Sequence, residues 1–250
     1  MVKFIKAYWK HLLVFTLAGL IGGFFTGLYL LDSYPGEIQE QIMAQGMTDV
    51  ILGLVCAVQY AGYGLVLGVL GIILSKQVGL WKEKINVEKK PLGYAMLCGV
   101  IGGLLLIGLD LLWFGKYVPA IADSYLIKPS VDYILGVMIL GGIVEEVMLR
   151  LFMMSLIAFV LLKIFKKFEN TDKIFVLANL LSALLFAAGH LPTTAVMLGI
   201  TPLILFRCFL LNGGLGLAFG WLYRKHGLHY AMIAHAGCHL VSKLIWILFL

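Results

Sequence analysis

Long apolar runs separated by short polar stretches dominate the chain. A helix that crosses a bilayer needs about 20 mostly apolar residues. The runs that meet this length are Tyr8–Leu31, Val50–Ser75, Pro91–Phe114, Val131–Leu162, Ile174–His190, Pro202–Tyr223 and Leu228–Leu250. The fourth is too long for one straight crossing, so we expect it to be tilted, broken or projecting, with room for an eighth helix. Because a spanning chain must satisfy its own backbone hydrogen bonds, the pattern predicts an all-α, polytopic transmembrane bundle of seven to eight helices.

Glycines recur at four-residue spacing inside these runs. The sets are Gly19, Gly23 and Gly27; Gly64 and Gly68; Gly99 and Gly103; and Gly216 and Gly220. Small residues at this spacing let two helix backbones approach closely in lipid, where apolar side chains give no net drive to associate. The spacing therefore predicts tight helix packing.

Composition excludes an ordinary soluble domain. The chain is 62% hydrophobic and only 13% charged, against about 25% charged residues in soluble proteins, and its mean hydropathy is +1.00. The net charge of +6 does not indicate nucleic-acid binding, because the basic residues lie between the apolar runs. The four cysteines fall inside those runs, which predicts buried thiols rather than a disulfide framework.

Loop charge predicts the orientation of the chain in the membrane, because Lys and Arg favour the cytoplasmic side. Lysines flank the first run, follow the second and follow the fourth, whereas the loop after the first run is acidic. The basic positions after the fourth run are Lys163, Lys166, Lys167 and Lys173. The alternation predicts seven crossings of a cell membrane, with the N-terminus inside and the C-terminus outside.

Ionisable residues concentrate at three places within the apolar runs. Placing one such group in a spanning helix costs about 2.5–3.5 kcal/mol, so we expect each of them to have a structural or functional role. They are Glu145, Glu146 and Arg150 in the fourth run, His190 at the end of the fifth, and His235 and His239 in the seventh. We take these six residues as the candidate site.

Helical spacing predicts how these groups pair. Residues four apart share one helix face, so Glu146 and Arg150 are expected to form an ion pair. Glu145 is then left without a local cation and is better suited to proton transfer. His235 and His239 are also four apart, so both imidazoles can point into one cavity.

Each group alone also has a structural explanation. The Glu146–Arg150 pair could be a clamp, His190 an interfacial residue, and the other two histidines hydrogen-bonding contacts between helices. Placing two adjacent glutamates and three histidines on three spans costs more free energy than purely structural roles would justify. Their joint occurrence therefore favours a functional site.

Other polar residues in the runs favour simpler interpretations. We expect Asp110 to reach the membrane interface, and Arg207 to extend outward or to pair with a carboxylate, for example that of Glu145 or Glu146. Phe186 lies four residues before His190 and is expected to pack against its ring.

The candidate residues fit water-based hydrolysis. A glutamate with a histidine can activate water as a general base, and a second histidine can stabilise the oxyanion of a tetrahedral intermediate. Cys238 lies off the shared face of the two late histidines and is expected to be a bystander. The same residues include zinc ligands, but no His-Glu-x-x-His sequence occurs, so a divalent metal stays open.

The order of these motifs resembles a known family. Glu-Glu-x-x-x-Arg at 145–150, Phe-x-x-x-His at 186–190 and a late His-x-x-x-His at 235–239 are similar to the motifs of the CAAX prenyl protease and bacteriocin-processing family, also called CPBP or Abi. The segment 220–235 also resembles the stretch before that family's last motif. The resemblance covers roughly residues 130–245 and divides the chain into three N-terminal spans, 1–125, and a catalytic core, 126–250.

The resemblance implies an intramembrane endopeptidase of the bacterial cell membrane, with a protein or peptide substrate that can be lipidated. By position, Glu145 and His190 would activate water, and the Glu146–Arg150 pair would support the site. His235 and the last motif residue would stabilise the oxyanion. That last position is His239, where the family usually has Asn or Asp; an imidazole can donate a hydrogen bond there but also titrates near neutrality.

Two other functions stay open from the sequence. The family is also linked to bacteriocin immunity and scaffolding, so a non-catalytic membrane protein that keeps the motifs is one alternative. A proton-coupled transporter is the other, because buried Glu and His residues also form proton relays. That alternative predicts inverted repeats, which the sequence does not show.

Overall fold

The computed structural model describes residues 2–165 and 170–250, and no strand occurs among them. The helices are α1 (Val2–Leu30), α2 (Gly36–Ala44), α3 (Asp49–Gln77), α4 (Lys89–Tyr117), α5 (Pro119–Asp123), α6 (Val131–Ile164), α7 (Thr171–Gly189), α8 (Leu191–Leu198), α9 (Pro202–Lys225) and α10 (Leu228–Phe249). Lys166 and Lys167, which support the predicted orientation, lie outside the described residues.

The described part of the chain has seven helical stretches that are long and apolar enough to cross a membrane. The predicted all-α polytopic bundle is therefore confirmed. The overlong fourth stretch is one unbroken 34-residue segment, α6, with π-helical turns over Leu140–Glu145 and Val147–Met154. Turns of this kind are frequent at functional sites, and both flank the paired glutamates.

The fifth crossing is longer than the apolar run predicted. The run was expected to end at His190, whereas the helical stretch continues from Thr171 to Leu198. His190 lies at the junction of α7 and α8, with helical backbone angles. His190 therefore lies where two helices meet and not at the end of the crossing, which continues to Leu198.

Glycines set the closest helix contacts, as their spacing predicted. A Cβ atom on Gly23 of α1 would lie 2.5 Å from the carbonyl oxygen of Cys56 on α3. A Cβ atom on Gly103 of α4 would lie 2.8 Å from the carbonyl oxygen of Cys238 on α10. Real side chains do not reach such distances, so both contacts depend on glycine.

The middle of α6 forms the centre of the bundle. Val147, Leu151 and Met154 are fully buried and belong to one apolar cluster with Leu222 of α9 and Ala234 of α10. Close packing on every side holds this helix in place. The polar groups that α6 carries next to these residues therefore have fixed positions.

Candidate active site

A buried ion pair on α6 is the base of the site. Arg150 Nε lies 3.3 Å from Glu146 Oε2, and Arg150 Nη2 donates a 3.1 Å hydrogen bond to the carbonyl oxygen of Gly216 on α9. Glu146 is 0% exposed and Arg150 1% exposed. The ion pair expected from the spacing is present, and full burial makes each charge dependent on the other.

Glu146 also fixes the orientation of His235. His235 Nδ1 lies 2.8 Å from Glu146 Oε1. With the carboxylate as acceptor, Nδ1–H is the donor and Nε2 stays free for another partner. The ring stacks on Phe219, with centroids 4.6 Å apart and an interplanar angle of 20°. His235 therefore presents Nε2 as a base in a fixed position.

Glu145 differs from its neighbour in exposure and in partners. Its side chain is 24% exposed, whereas that of Glu146 is fully buried. Glu145 Oε2 lies 3.9 Å from His235 Nε2, which is too long for a direct hydrogen bond. One water molecule about 2.8 Å from each atom would fit that separation. The two side chains can thus share a water.

His239 stacks on His235, as their four-residue spacing predicted. The ring centroids are 5.0 Å apart at 26°. Gly141 of α6 provides the space beside the two rings. A Cβ atom there would lie 2.7 Å from His239 Nε2 and 3.3 Å from His235 Nε2. Gly141 was missed in the sequence, where a single glycine in a glycine-rich membrane helix carries no distinguishing signal.

His190 lies on the other side of Phe186. Its Nδ1 is 2.9 Å from the Phe186 carbonyl oxygen, and its ring meets Phe186 edge-on, with centroids 4.7 Å apart. Phe186 also meets the His235 ring, at 5.8 Å. Among the described residues His190 forms no ion pair or hydrogen bond with Glu145 or Glu146. The expected packing of Phe186 on His190 is confirmed, and the Phe186 ring contacts the rings of both His190 and His235.

Two aromatic side chains also enclose the arginine. The guanidinium carbon of Arg150 lies 4.6 Å from the ring centre of Phe186 and 5.5 Å from that of Phe219. Such contacts stabilise a cation away from water. Phe219 was missed in the sequence, because an aromatic residue in an apolar helix usually indicates packing alone.

A second buried ionic cluster lies in the described part of the chain. Arg207 pairs with a carboxylate, as expected, but the partner is the buried Asp110 and not Glu145 or Glu146. Arg207 Nε and Nη2 donate hydrogen bonds of 2.6 and 2.5 Å to the two oxygens of Asp110, and Tyr125 donates a third of 2.9 Å. Arg207 reaches an acid on α4 because the start of α9 packs beside α4. The order of the helices along the sequence does not predict that the two are neighbours.

No three His, Cys, Asp or Glu side chains in the described part of the chain converge as metal ligands. The donor set therefore does not match the three protein ligands of a catalytic zinc site, and the chemistry below uses the side chains alone. Cys238 is buried and forms no disulfide.

Comparison with known proteins agrees with the position of these residues. The family model described as type II CAAX prenyl endopeptidase Rce1-like matches residues 128–241, a range that contains all six candidate residues. No curated protein and no solved structure matches the chain. Residues 128–241 are therefore similar to this type II CAAX prenyl endopeptidase family, which supports the resemblance to the CAAX prenyl protease and bacteriocin-processing family.

Proposed function

We propose that the protein hydrolyses a peptide bond with a water molecule held between Glu145 and His235. Similarity to the family supports the class, a membrane-embedded protease. The observation that supports this mechanism is the 3.9 Å separation of Glu145 Oε2 and His235 Nε2, together with the hydrogen bond that ties His235 to Glu146.

In the first step, Glu145 accepts a proton from the water as the oxygen attacks the carbonyl carbon of the substrate. The partial exposure of Glu145 gives water and substrate access to its carboxylate. His235 Nε2 accepts the second hydrogen bond of the same water. This orients a lone pair of the water oxygen towards the carbonyl carbon of the substrate. The fully buried Glu146–Arg150 pair holds that imidazole and does not itself exchange protons.

The tetrahedral intermediate carries a negative oxygen that needs a donor. Glu146 and the water use the two ring nitrogens of His235. We therefore assign the role of oxyanion donor to the neighbouring His239. A donor that is in position before the reaction contributes about 3–4 kcal/mol to such a step. Glu145 then returns its proton to the leaving amine, and His190, whose Nε2 is uncommitted, contacts the substrate from the junction of α7 and α8.

We propose a lipid-modified protein as the substrate. The matching family is described by its action on CAAX prenyl substrates, and the candidate side chains lie on helices that span the bilayer. A lipid anchor keeps a substrate in the membrane plane and so delivers its adjoining peptide to a site at that depth.

The test is cleavage of a farnesylated peptide by the purified protein in vesicles, with the same peptide without its lipid as comparison. We expect cleavage of the farnesylated peptide, and a fall of about 10²- to 10⁴-fold in His235→Gln and Glu146→Gln. Glu83→Gln removes an exposed carboxylate in the loop after α3 and is the matched control. Unchanged cleavage in both site variants would overturn the mechanism, and equal cleavage of both peptides would overturn the substrate class.

A further inference from the structure

A basic pocket lies at the lysine-rich end of the bundle, away from the candidate active site. It has a volume of about 260 Å³ and is lined by residues of the α3–α4 loop and of the α9–α10 junction. Its charged and titratable lining residues are Lys82, Lys84, Glu88, Lys225, His226 and His229. Three lysines against one glutamate give the pocket a net positive charge.

The loop that forms one wall is fixed to the bundle. The hydroxyl of Tyr230, a residue only 2% exposed, accepts a 2.7 Å hydrogen bond from the backbone N–H of Glu88 and donates one of 3.0 Å to the carbonyl oxygen of Asn86. Lysines on a free loop would separate by repulsion. These two bonds hold the loop lysines beside Lys225 instead.

Electrostatic effects on His226 indicate the same positive environment. Burial lowers the pKa of His226, and the Glu88 carboxylate acts in the opposite direction. The ammonium groups of Lys82, Lys225 and Lys90 lower its pKa as well. A bound anion would neutralise that repulsion, so the pocket is built to favour one.

Aromatic residues place the pocket at the depth of lipid headgroups. Trp221 is 42% exposed, and its ring meets His226 at 5.4 Å and Tyr94 at 5.9 Å. Lys90 lies over the Tyr94 ring at 6.0 Å. An exposed tryptophan next to a half-buried tyrosine and a lysine is typical of the membrane–water interface.

An apolar cavity adjoins the basic pocket. The two share Lys82 and His229, and the apolar cavity is otherwise lined by side chains such as Phe15, Leu228 and Met232. His229 Nε2 is buried and has no hydrogen-bond partner among the described residues. A charged pocket next to an apolar one matches a molecule with an anionic head and a hydrocarbon chain.

We propose that this pocket binds the phosphate headgroup of an anionic phospholipid. The lysines supply the charge that a phosphate needs, and the adjoining apolar cavity receives the first part of an acyl chain. Free phosphate offers the same charge but neither uses the apolar cavity nor gains from the interfacial position. Basic pockets between helices are known to bind such headgroups.

The test is a titration of the detergent-purified full chain with soluble, short-chain phosphatidylglycerol, with short-chain phosphatidylcholine and inorganic phosphate as comparisons. Binding is measured as the shift of the thermal unfolding midpoint. The test variant is Lys82→Gln/Lys84→Gln/Lys225→Gln. Each lysine near a membrane surface contributes about fivefold in affinity, so we expect a loss of roughly a hundredfold for phosphatidylglycerol.

The matched control is Lys3→Gln/Lys6→Gln/Lys173→Gln, which removes equal charge from exposed positions at the same end of the bundle. We expect it to bind as the unmodified chain does, and Lys→Arg changes at the three pocket positions to retain binding. An equal loss in the control triple would show diffuse attraction and overturn the pocket. Phosphate binding as tight as that of phosphatidylglycerol would overturn a lipid ligand, as would equal binding of the two lipids.

Discussion

Two buried ionic clusters occupy this bundle, and they differ in how completely their groups are paired. In the first, Asp110 receives two hydrogen bonds from Arg207 and one from Tyr125. In the second, Arg150 pairs with Glu146 alone, while a second carboxylate, Glu145, stands beside the imidazoles. The Asp110 cluster has no titratable group left over. The Glu146 cluster has several.

The difference shows that buried charge alone does not identify a catalytic site. Both clusters are expensive to place in a membrane, and both are stabilised by internal pairing. Proton transfer needs a group that is not held by a fixed countercharge, and in the described residues Glu145 stands next to the imidazoles without a pairing Arg or Lys. We therefore interpret the Asp110 cluster as a clamp that joins α4 to α9. The predictions that follow test this contrast.

The largest effect is expected on activity from Glu145→Gln. The amide keeps the shape of the side chain but cannot accept the proton of the water, so cleavage should fall about 10²- to 10⁴-fold. The free energy of unfolding should change little, because the carboxylate is partly exposed and forms no ion pair with an Arg or Lys among the residues that the structure describes. Peptide cleavage and thermal unfolding of the same preparation measure the two quantities. A variant that retains activity would remove Glu145 from the mechanism.

The opposite pattern is expected from Asp110→Asn. Arg207 would lose its countercharge in a largely buried place, which lowers the free energy of unfolding by about 3 kcal/mol. Activity per folded molecule should stay within a fewfold of the unmodified chain. Denaturant unfolding in detergent measures the loss, and Asp110→Asn/Arg207→Gln, which removes both charges, should recover part of it. Loss of catalysis without loss of stability would make this cluster part of the active site.

A smaller effect is expected from Gly141→Ala. Its Cβ atom would lie 2.7 Å from His239 Nε2, so the imidazole must move. A displacement of about 1 Å at a catalytic group can cost 10²-fold in rate. Gly108→Ala is the matched control, since nothing lies within 4 Å of a Cβ atom there. If both variants cleave equally well, the contact at Gly141 has no catalytic consequence.

A still smaller effect is expected from His239→Asn, which places the residue usual for the family at this position. The amide N–H can replace the imidazole N–H as oxyanion donor, so we expect cleavage within about tenfold of the unmodified chain. His239→Ala should lose more, because it removes the donor. Steady-state rates of the two variants measure the difference, and equal losses would exclude a hydrogen-bonding role.

No effect is expected from metal removal. In the described residues no three ligands converge, and the proposed steps use side chains only. Cleavage should therefore be unchanged after treatment with a chelator and elemental analysis should find no stoichiometric zinc. Inactivation by the chelator with recovery on adding zinc would contradict the mechanism.

The sequence by itself determined the fold class, the seven crossings and the candidate residues. Hydrophobic run length is a local property, and so is the ion pair between residues four apart on one helix. The close helix contacts at Gly23 and Gly103 also followed from spacing, because packing in lipid depends on small residues. Polar groups in lipid are costly enough that their presence in the apolar runs singles these residues out as candidates.

Only the tertiary structure decided which groups meet across helices. Sequence order does not show that His235 bonds to Glu146, that Phe186 contacts the His235 ring, or that Arg207 pairs with Asp110. These contacts depend on the neighbours, tilt and depth of each helix. Those are set by the packing of whole surfaces rather than by any local pattern.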